Sequence, residues 1–300
     1  QEGQRTYSKS AYLAAKNYPL ETLTDIILAS IPAEAKQWSD ELRLLSFLSN
    51  AEYNYASRYY LSASFRYDAS SRFHKKNRWA PFWALGAKWR MSNEAFMAKT
   101  EDWLNDLTLR ISYGTSGNQS VGSGWYAGRS LYNFGYPYNN LPGSLFLQYA
   151  NPDLKWEQTA KFNVGFDTRL FDILSIGFDF YNHDTKDMVF KVPISSSVGL
   201  PTYIDGVAYY KNLGSLNNKG VEFSVAVDAI KTKDTQLTFT INGSHNKNTL
   251  TKLSNENPII EGAQIRKVGN DIYTFYLKEW AGVDPQTGVG TWYKGEKGKE

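Results

Sequence analysis

Apolar and polar residues alternate along most of this chain. In Leu61-Ser62-Ala63-Ser64-Phe65-Arg66-Tyr67-Asp68 every odd position is apolar or aromatic and every even one polar. Trp83, Leu85, Ala87 and Trp89 alternate with Ala84, Gly86, Lys88 and Arg90, and Leu109, Ile111 and Tyr113 with Thr108, Arg110 and Ser112. The same period runs through Phe162 to Asp167, Leu174 to Tyr181, Val221 to Val227 and Leu237 to Asn242. Successive side chains of a strand point to opposite faces, so each stretch makes a strand with one apolar and one polar face. The pattern predicts strands near 42–55, 58–68, 78–90, 105–115, 156–168, 172–184, 219–229, 235–247 and 269–281.

Alternation suits a soluble antiparallel sandwich as well as a membrane barrel. Length and connections separate the two. The predicted strands run to about ten residues, the length that crosses a bilayer at a tilt and longer than the ~5–6 of globular sheets. The joins alternate between short (56–57, 91–104, 169–171, 230–234) and long (69–77, 116–155, 185–218, 248–268). Successive joins of an up-and-down barrel lie on opposite rims, and outer-membrane barrels have short turns on one side and long loops on the other. The fold class expected is therefore all-β: an antiparallel up-and-down transmembrane barrel portion of about nine or ten strands. Phe162, Phe166, Ile176, Phe178, Phe223, Val225, Leu237 and Phe239 are expected to face lipid.

Residues 1–41 read differently. Leu20, Leu23, Ile27 and Leu28 have roughly helical spacing before Pro32 ends the run. This predicts an extracellular loop segment with a short helix, leaving residues 42–300 as barrel.

Composition adds three constraints. Tyr (21), Phe (16) and Trp (9) make the chain 15% aromatic, which suits a membrane interface but equally a sugar-binding sandwich. The net charge of +3, without a Lys/Arg stripe, argues against nucleic acid. Cysteine is absent, and no apolar run approaches the ~20 residues of a membrane helix.

Several motifs resemble one family. Arg66-Tyr67-Asp68-Ala69-Ser70-Ser71-Arg72-Phe73, Asn77-Arg78-Trp79 and Trp89-Arg90 are similar to the TonB-linked outer-membrane transporters of the SusC/RagA type from Bacteroidota. So are Leu109-Arg110-Ile111-Ser112-Tyr113-Gly114 with Gly117-Asn118, and Asn151-Pro152-Asp153-Leu154-Lys155-Trp156-Glu157. Asn218-Lys219-Gly220-Val221-Glu222 and Ala281-Gly282-Val283-Asp284-Pro285 complete the series. The resemblance implies a plugged barrel of the ~22-stranded class in the cell outer membrane. It implies import of oligosaccharides or peptides, a SusD-like lipoprotein lid, and energy from TonB through an N-terminal region. On that reading the plug and the final strands lie outside this chain. The alternative is a soluble or surface-attached carbohydrate-binding or adhesion β domain, in which the apolar faces are buried between two sheets.

No catalytic constellation emerges. Gly122-Ser123-Gly124-Trp125-Tyr126-Ala127-Gly128 has the wrong spacing and context for a dinucleotide loop. His74, His183 and His245 lack paired-ligand spacing, so neither a metal nor another cofactor is expected. Asp68 and Arg72 read as a solvated loop base rather than a pair at the lumen mouth. The one candidate ligand site is the long loop, with Trp125, Tyr126, Tyr132, Tyr136, Tyr138, Asn139 and Asn140. Aromatic rings stack on the C–H faces of sugars, and amides donate to and accept from hydroxyls. The competing reading is that these rings pack the loop against itself or against a lid protein.

Overall fold

The computed structural model describes residues 2–16, 31–121, 124–134, 136, 138–139, 141–194, 208–253 and 257–293. Its strands are β1 (Glu2–Lys16), β2 (Ile31–Tyr55), β3 (Tyr59–Ser70), β4 (Trp79–Arg90), β5 (Leu104–Asn118), β6 (Leu131–Phe134), β7 (Ser144–Gln148) and β8 (Glu157–Leu170). They continue as β9 (Leu174–Pro193), β10 (Ala208–Lys231), β11 (Gln236–Lys252), β12 (Ile259–Glu261), β13 (Gln264–Arg266), β14 (Trp280–Val283) and β15 (Gly290–Trp292). One large antiparallel sheet runs β1-β2-β3-β4-β5-β8-β9-β10-β11, and the β6–β7 hairpin touches it through a single parallel bridge from β7 to β10. Among the described residues the sheet does not close on itself.

Register carries the sequence pattern across the whole sheet. Leu109, Phe166, Phe178 and Phe223 form one cross-strand row, and Ile176, Val225 and Ile241 form another. All eight residues expected to face lipid share the same face. It continues through Leu85, Leu61 and Tyr53. Among the described residues no second sheet covers it: Leu61 is 54%, Leu85 56% and Phe239 59% exposed. A sandwich would bury these side chains, and this arrangement rules it out.

The rims follow the predicted parity. Ala56 and Ser57, and again Phe171 and Asp172, take φ between 52° and 53°. Two-residue hairpins require that left-handed pair because its twist matches the strands. These residues have side chains rather than the usual glycine, and neighbouring amides compensate: Asn54 Oδ1 accepts from Ser57 N at 3.2 Å and Asn105 Oδ1 from Asp172 N at 2.5 Å. The tight turns hold one another on one rim, where Phe171 N donates to Trp103 O at 2.8 Å and Asn93 Nδ2 to Ser57 O at 3.1 Å.

The long connections gather on the other rim, where the two buried apolar clusters lie. One joins Phe73, Phe82, Val121, Ala127, Leu154 and Trp156; the other joins Phe190, Leu216, Leu250 and Leu253. The core is thus a seal at one end of the sheet rather than a filling between layers.

Three expectations need correction. Residues 2–16 and 31–41 are not loop but a long hairpin, with β1 pairing only the Ile31–Ser46 part of β2. Beyond the bilayer a strand needs no apolar face, so polar β1 carried no barrel signal. The helix expected over Leu20–Leu28 lies outside the described residues. Residues 116–155 are not one open loop, because β5 runs on to Asn118 and β6 and β7 fold into a hairpin.

The ninth strand, 269–281, does not form. Gly269 turns with φ +92°, Asp271 Oδ1 accepts from Tyr273 N at 2.8 Å, and Asn248 Oδ1 from Ile272 N at 3.1 Å. Side-chain capping of this kind offers the backbone an alternative to a sheet ladder.

Candidate functional site: the polar face and the long-loop rim

The polar face is built by the alternate residues of the same strands. Lys88, Arg110, Gly165, Asp179 and Glu222 follow one another across five strands. Arg110 joins two carboxylates, with Nε 3.0 Å from Asp167 Oδ2 and an Nη2 3.1 Å from Asp179 Oδ2. Glycine at 165 makes this possible, since a Cβ there would run into the Asp179 carboxylate and the Phe178 carbonyl. Next to it Asn163 donates to Ser112 Oγ at 3.3 Å and meets His183 Nε2 at 3.1 Å. A cavity of about 730 Å³ opens over Glu52, Tyr60, Lys88, Arg110, Asn163 and Asp179. Exposed ion pairs contribute roughly 0–1 kcal/mol each, so this network sets the charge and shape of a wet surface more than stability.

At the long-loop rim the segment Asn151 to Glu157 works as a clamp. Trp156 Nε1 donates to Arg78 O at 2.9 Å while its ring packs on Phe73 (5.3 Å) and edge-on to Phe82 (5.6 Å). Asn77 Nδ2 donates to Pro152 O and Leu154 O at 3.3 and 3.4 Å. Lys76 pairs with Asp153 and holds its carboxyl below the usual range. Asn151 Nδ2 donates to Tyr210 O at 2.8 Å, and Asn212 Nδ2 to Lys155 O at 2.9 Å and Asp187 O at 2.6 Å. The two oxygens of Glu157 accept from Val189 N and Asn118 Nδ2, both at 2.7 Å. Seven consecutive residues thus fasten β4, β5, β9 and β10 together beneath the loop. The motif itself was visible in the sequence; its partners were not, since they lie between 32 and 83 residues away.

The predicted ligand residues separate into two groups. Trp125 and Tyr126 are half-buried at the loop base. Tyr126 Oη accepts from Glu41 N at 2.8 Å, and Arg129 lies over the ring at 5.5 Å. Gln148 Nε2 donates to the carbonyls of Tyr126, Ala127 and Arg129 at 3.1, 3.0 and 2.9 Å. Tyr126 therefore has a structural post. Tyr132, Tyr136, Tyr138 and Asn139 belong to the β6–β7 hairpin. Tyr132 stands edge-on to Phe146 at 5.0 Å, Tyr138 is 85% exposed, and Asn139 turns at φ 48°. Asn140 lies outside the described residues. Asp68 pairs with Arg66 at 3.3 Å, and Arg72 instead donates to Gln119 O at 3.4 Å. The three histidines stay apart, and among the described residues no group of three His, Asp or Glu side chains is arranged to hold a metal.

A family profile described as "TonB dependent receptor-like, beta-barrel" matches residues 9–298. TonB-dependent receptor P39 of Formosa agariphila is 34% identical over 241 residues, covering 80% of this chain and 22% of that protein. TonB-dependent receptor SusC of Bacteroides thetaiotaomicron is 32% identical over 220 residues, 70% of this chain and 21% of that protein. The solved RagAB peptide importer in its closed-closed state superposes with a TM-score of 0.82 at 29% identity, over 97% of this chain and 32% of that one. The chain thus spans only a fifth to a third of the length of these relatives.

Proposed function

The chain belongs to the TonB dependent receptor-like β-barrel family, and from that premise we propose that it forms part of the wall of an energised importer of oligosaccharides or peptides. Its place is the cell outer membrane, as the uncovered apolar face requires. The observation that carries the import reading is the pairing of that face with a wet, charged opposite face, closed at one rim by folded long loops. A wall of this kind separates lipid from an aqueous passage. We infer a SusD-like lipoprotein as the lid over the long-loop rim and TonB as the energy source, contacted through a region outside this chain. Exposed Tyr132, Tyr138 and Asn139 on the β6–β7 hairpin are the residues we assign to first contact with substrate, with Trp125, Tyr126 and Tyr136 beneath or beside them; Asn140, the sequence neighbour of Asn139, is assigned with them. The function is transport, with no catalytic step. A soluble carbohydrate-binding domain would need the apolar face covered.

Uptake tests this directly. Cells carrying the whole receptor are given fluorescently labelled oligosaccharides and oligopeptides, with and without TonB. The reading requires TonB-dependent accumulation of one class inside the cell. Surface retention that is indifferent to TonB would make the protein an adhesin.

A further inference from the structure

Three arginines from three separated segments line one pocket just beyond the upper aromatic rows of the sheet, two of them, Arg5 and Arg43, on its apolar face by register. Arg5 of β1 stands directly opposite Arg43 of β2. Like charges in register destabilise a strand pair, and here they share one carboxylate: Arg5 Nε lies 2.5 Å and Arg43 Nε 2.7 Å from Glu41 Oε1. Arg78, at the entry to β4, completes the set, and its Nε is buried without a hydrogen-bond partner among the described residues. A pocket of about 490 Å³ is lined by Arg5, Arg43, Leu45, Ser71, Arg78 and Trp79. Three guanidinium groups against one carboxylate leave a net charge of about +2 around it.

The pocket's height is fixed by its neighbours. Trp79 stacks on Tyr67 at 4.7 Å and on Phe47 at 6.0 Å, and Phe47, Tyr67 and Trp79 belong to the lipid-facing set by register. Aromatic clusters of this kind mark the headgroup level of a membrane barrel. The long loops leave from this end, so the level is that of the outer leaflet.

We propose that this pocket binds the phosphate groups of an outer-leaflet glycolipid, with Arg43 and Arg78 gripping phosphate and Leu45 and Trp79 lying along the first acyl carbons. A planar guanidinium matches phosphate oxygens in a bidentate fashion, and the Arg78 guanidinium still has an Nε donor that no group among the described residues takes up. The inference rests on the outer-membrane reading with the long loops outside.

The test uses the whole receptor, extracted from its outer membrane in mild detergent and analysed by native mass spectrometry. It is then placed in nanodiscs containing diphosphorylated or enzymatically dephosphorylated lipid A. The wild type retains the phosphorylated lipid, and Arg43→Ala/Arg78→Ala loses retention by about tenfold, the effect of one or two charge-assisted hydrogen bonds. Arg5→Ser, at an exposed site, gives a smaller loss and serves if the double variant does not fold. Equal retention of the dephosphorylated lipid, an unchanged double variant, or displacement by millimolar inorganic phosphate would overturn the proposal while leaving the barrel intact. Absence of the receptor from the outer-membrane fraction would overturn both.

Discussion

Phe178→Arg places a charge where the account puts lipid, and its cost can be worked from the strand. Phe178 lies six residues beyond Asp172, which sits in the tight turn between β8 and β9. At ~3.3 Å per residue that is ~20 Å of strand, or ~15 Å of height at a tilt of ~40–45°. The apolar band of such barrels is ~25 Å tall, so Phe178 falls near its middle. Leu109, Phe166 and Phe223 flank it in register, with no acid in that row to neutralise an arginine. Arg at midplane depth costs roughly 2–4 kcal/mol, and loss of the ring stack on Phe166, 5.9 Å between centroids, adds about 0.5–1 kcal/mol. The control is Ser244→Arg on the polar face, which pairs in register with Glu222 and should change stability by no more than about 0.5 kcal/mol. Folding titrations of the whole barrel in lipid vesicles measure both. Equal costs at the two sites would refute the assignment of faces.

Trp156→Ala should cost roughly 3–5 kcal/mol locally, because the ring anchors the cluster of Phe73, Phe82 and Leu154. Limited proteolysis should then cut within 119–150 while the barrel keeps its heat-modifiable mobility on gels. Asp172 is held below its ordinary value of 3.8 by hydrogen bonds from Lys231 first and Arg169 second. Its lowered pKa stabilises the turn rim above pH 3.8, and that contribution is lost as pH falls through the still lower folded value. Hydrogen exchange of the 171–173 turn should therefore quicken, relative to Asp172→Asn, only in strongly acid buffer. Tyr132→Ala with Tyr138→Ala should weaken substrate binding about tenfold by calorimetry, at ~0.5–1.5 kcal/mol for each ring on a sugar face or side chain, and leave the melting temperature unchanged.

The period of two in strands such as β3 and β8 disclosed the sheet, its two faces and the sorting of its rims, because lipid on one side and water on the other impose strict alternation. Where that contrast ends, so did legibility. β1 pairs only the Ile31–Ser46 part of β2, carries no alternating apolar face and reads as loop, while 269–281 has residues of strand-like composition but Asp271 and Gly269 divert its backbone. Of the candidate site, the aromatic richness of 125–140 was visible, yet Tyr126 proved committed to Glu41 N and Gln148, contacts spanning 85 and 22 residues that no local pattern encodes. The Asn151 to Glu157 clamp is the clearest case: its residue types were conspicuous, but their purpose depends on β4, β9 and β10 arriving at the same rim.

The central claim is that alternate residues of this sheet face lipid and water, and cysteine scanning tests it most directly in a chain with no cysteine of its own. Single cysteines are introduced at positions 174–182 along β9 of the whole receptor, spin-labelled, and embedded in bilayers. The account predicts that labels at Leu174, Ile176, Phe178 and Phe180 respond to membrane-dissolved oxygen, and that labels at Ser175, Gly177, Asp179 and Tyr181 respond to a water-soluble relaxation agent. Labels shielded from both reagents at the even positions, or no period of two along the strand, would contradict it.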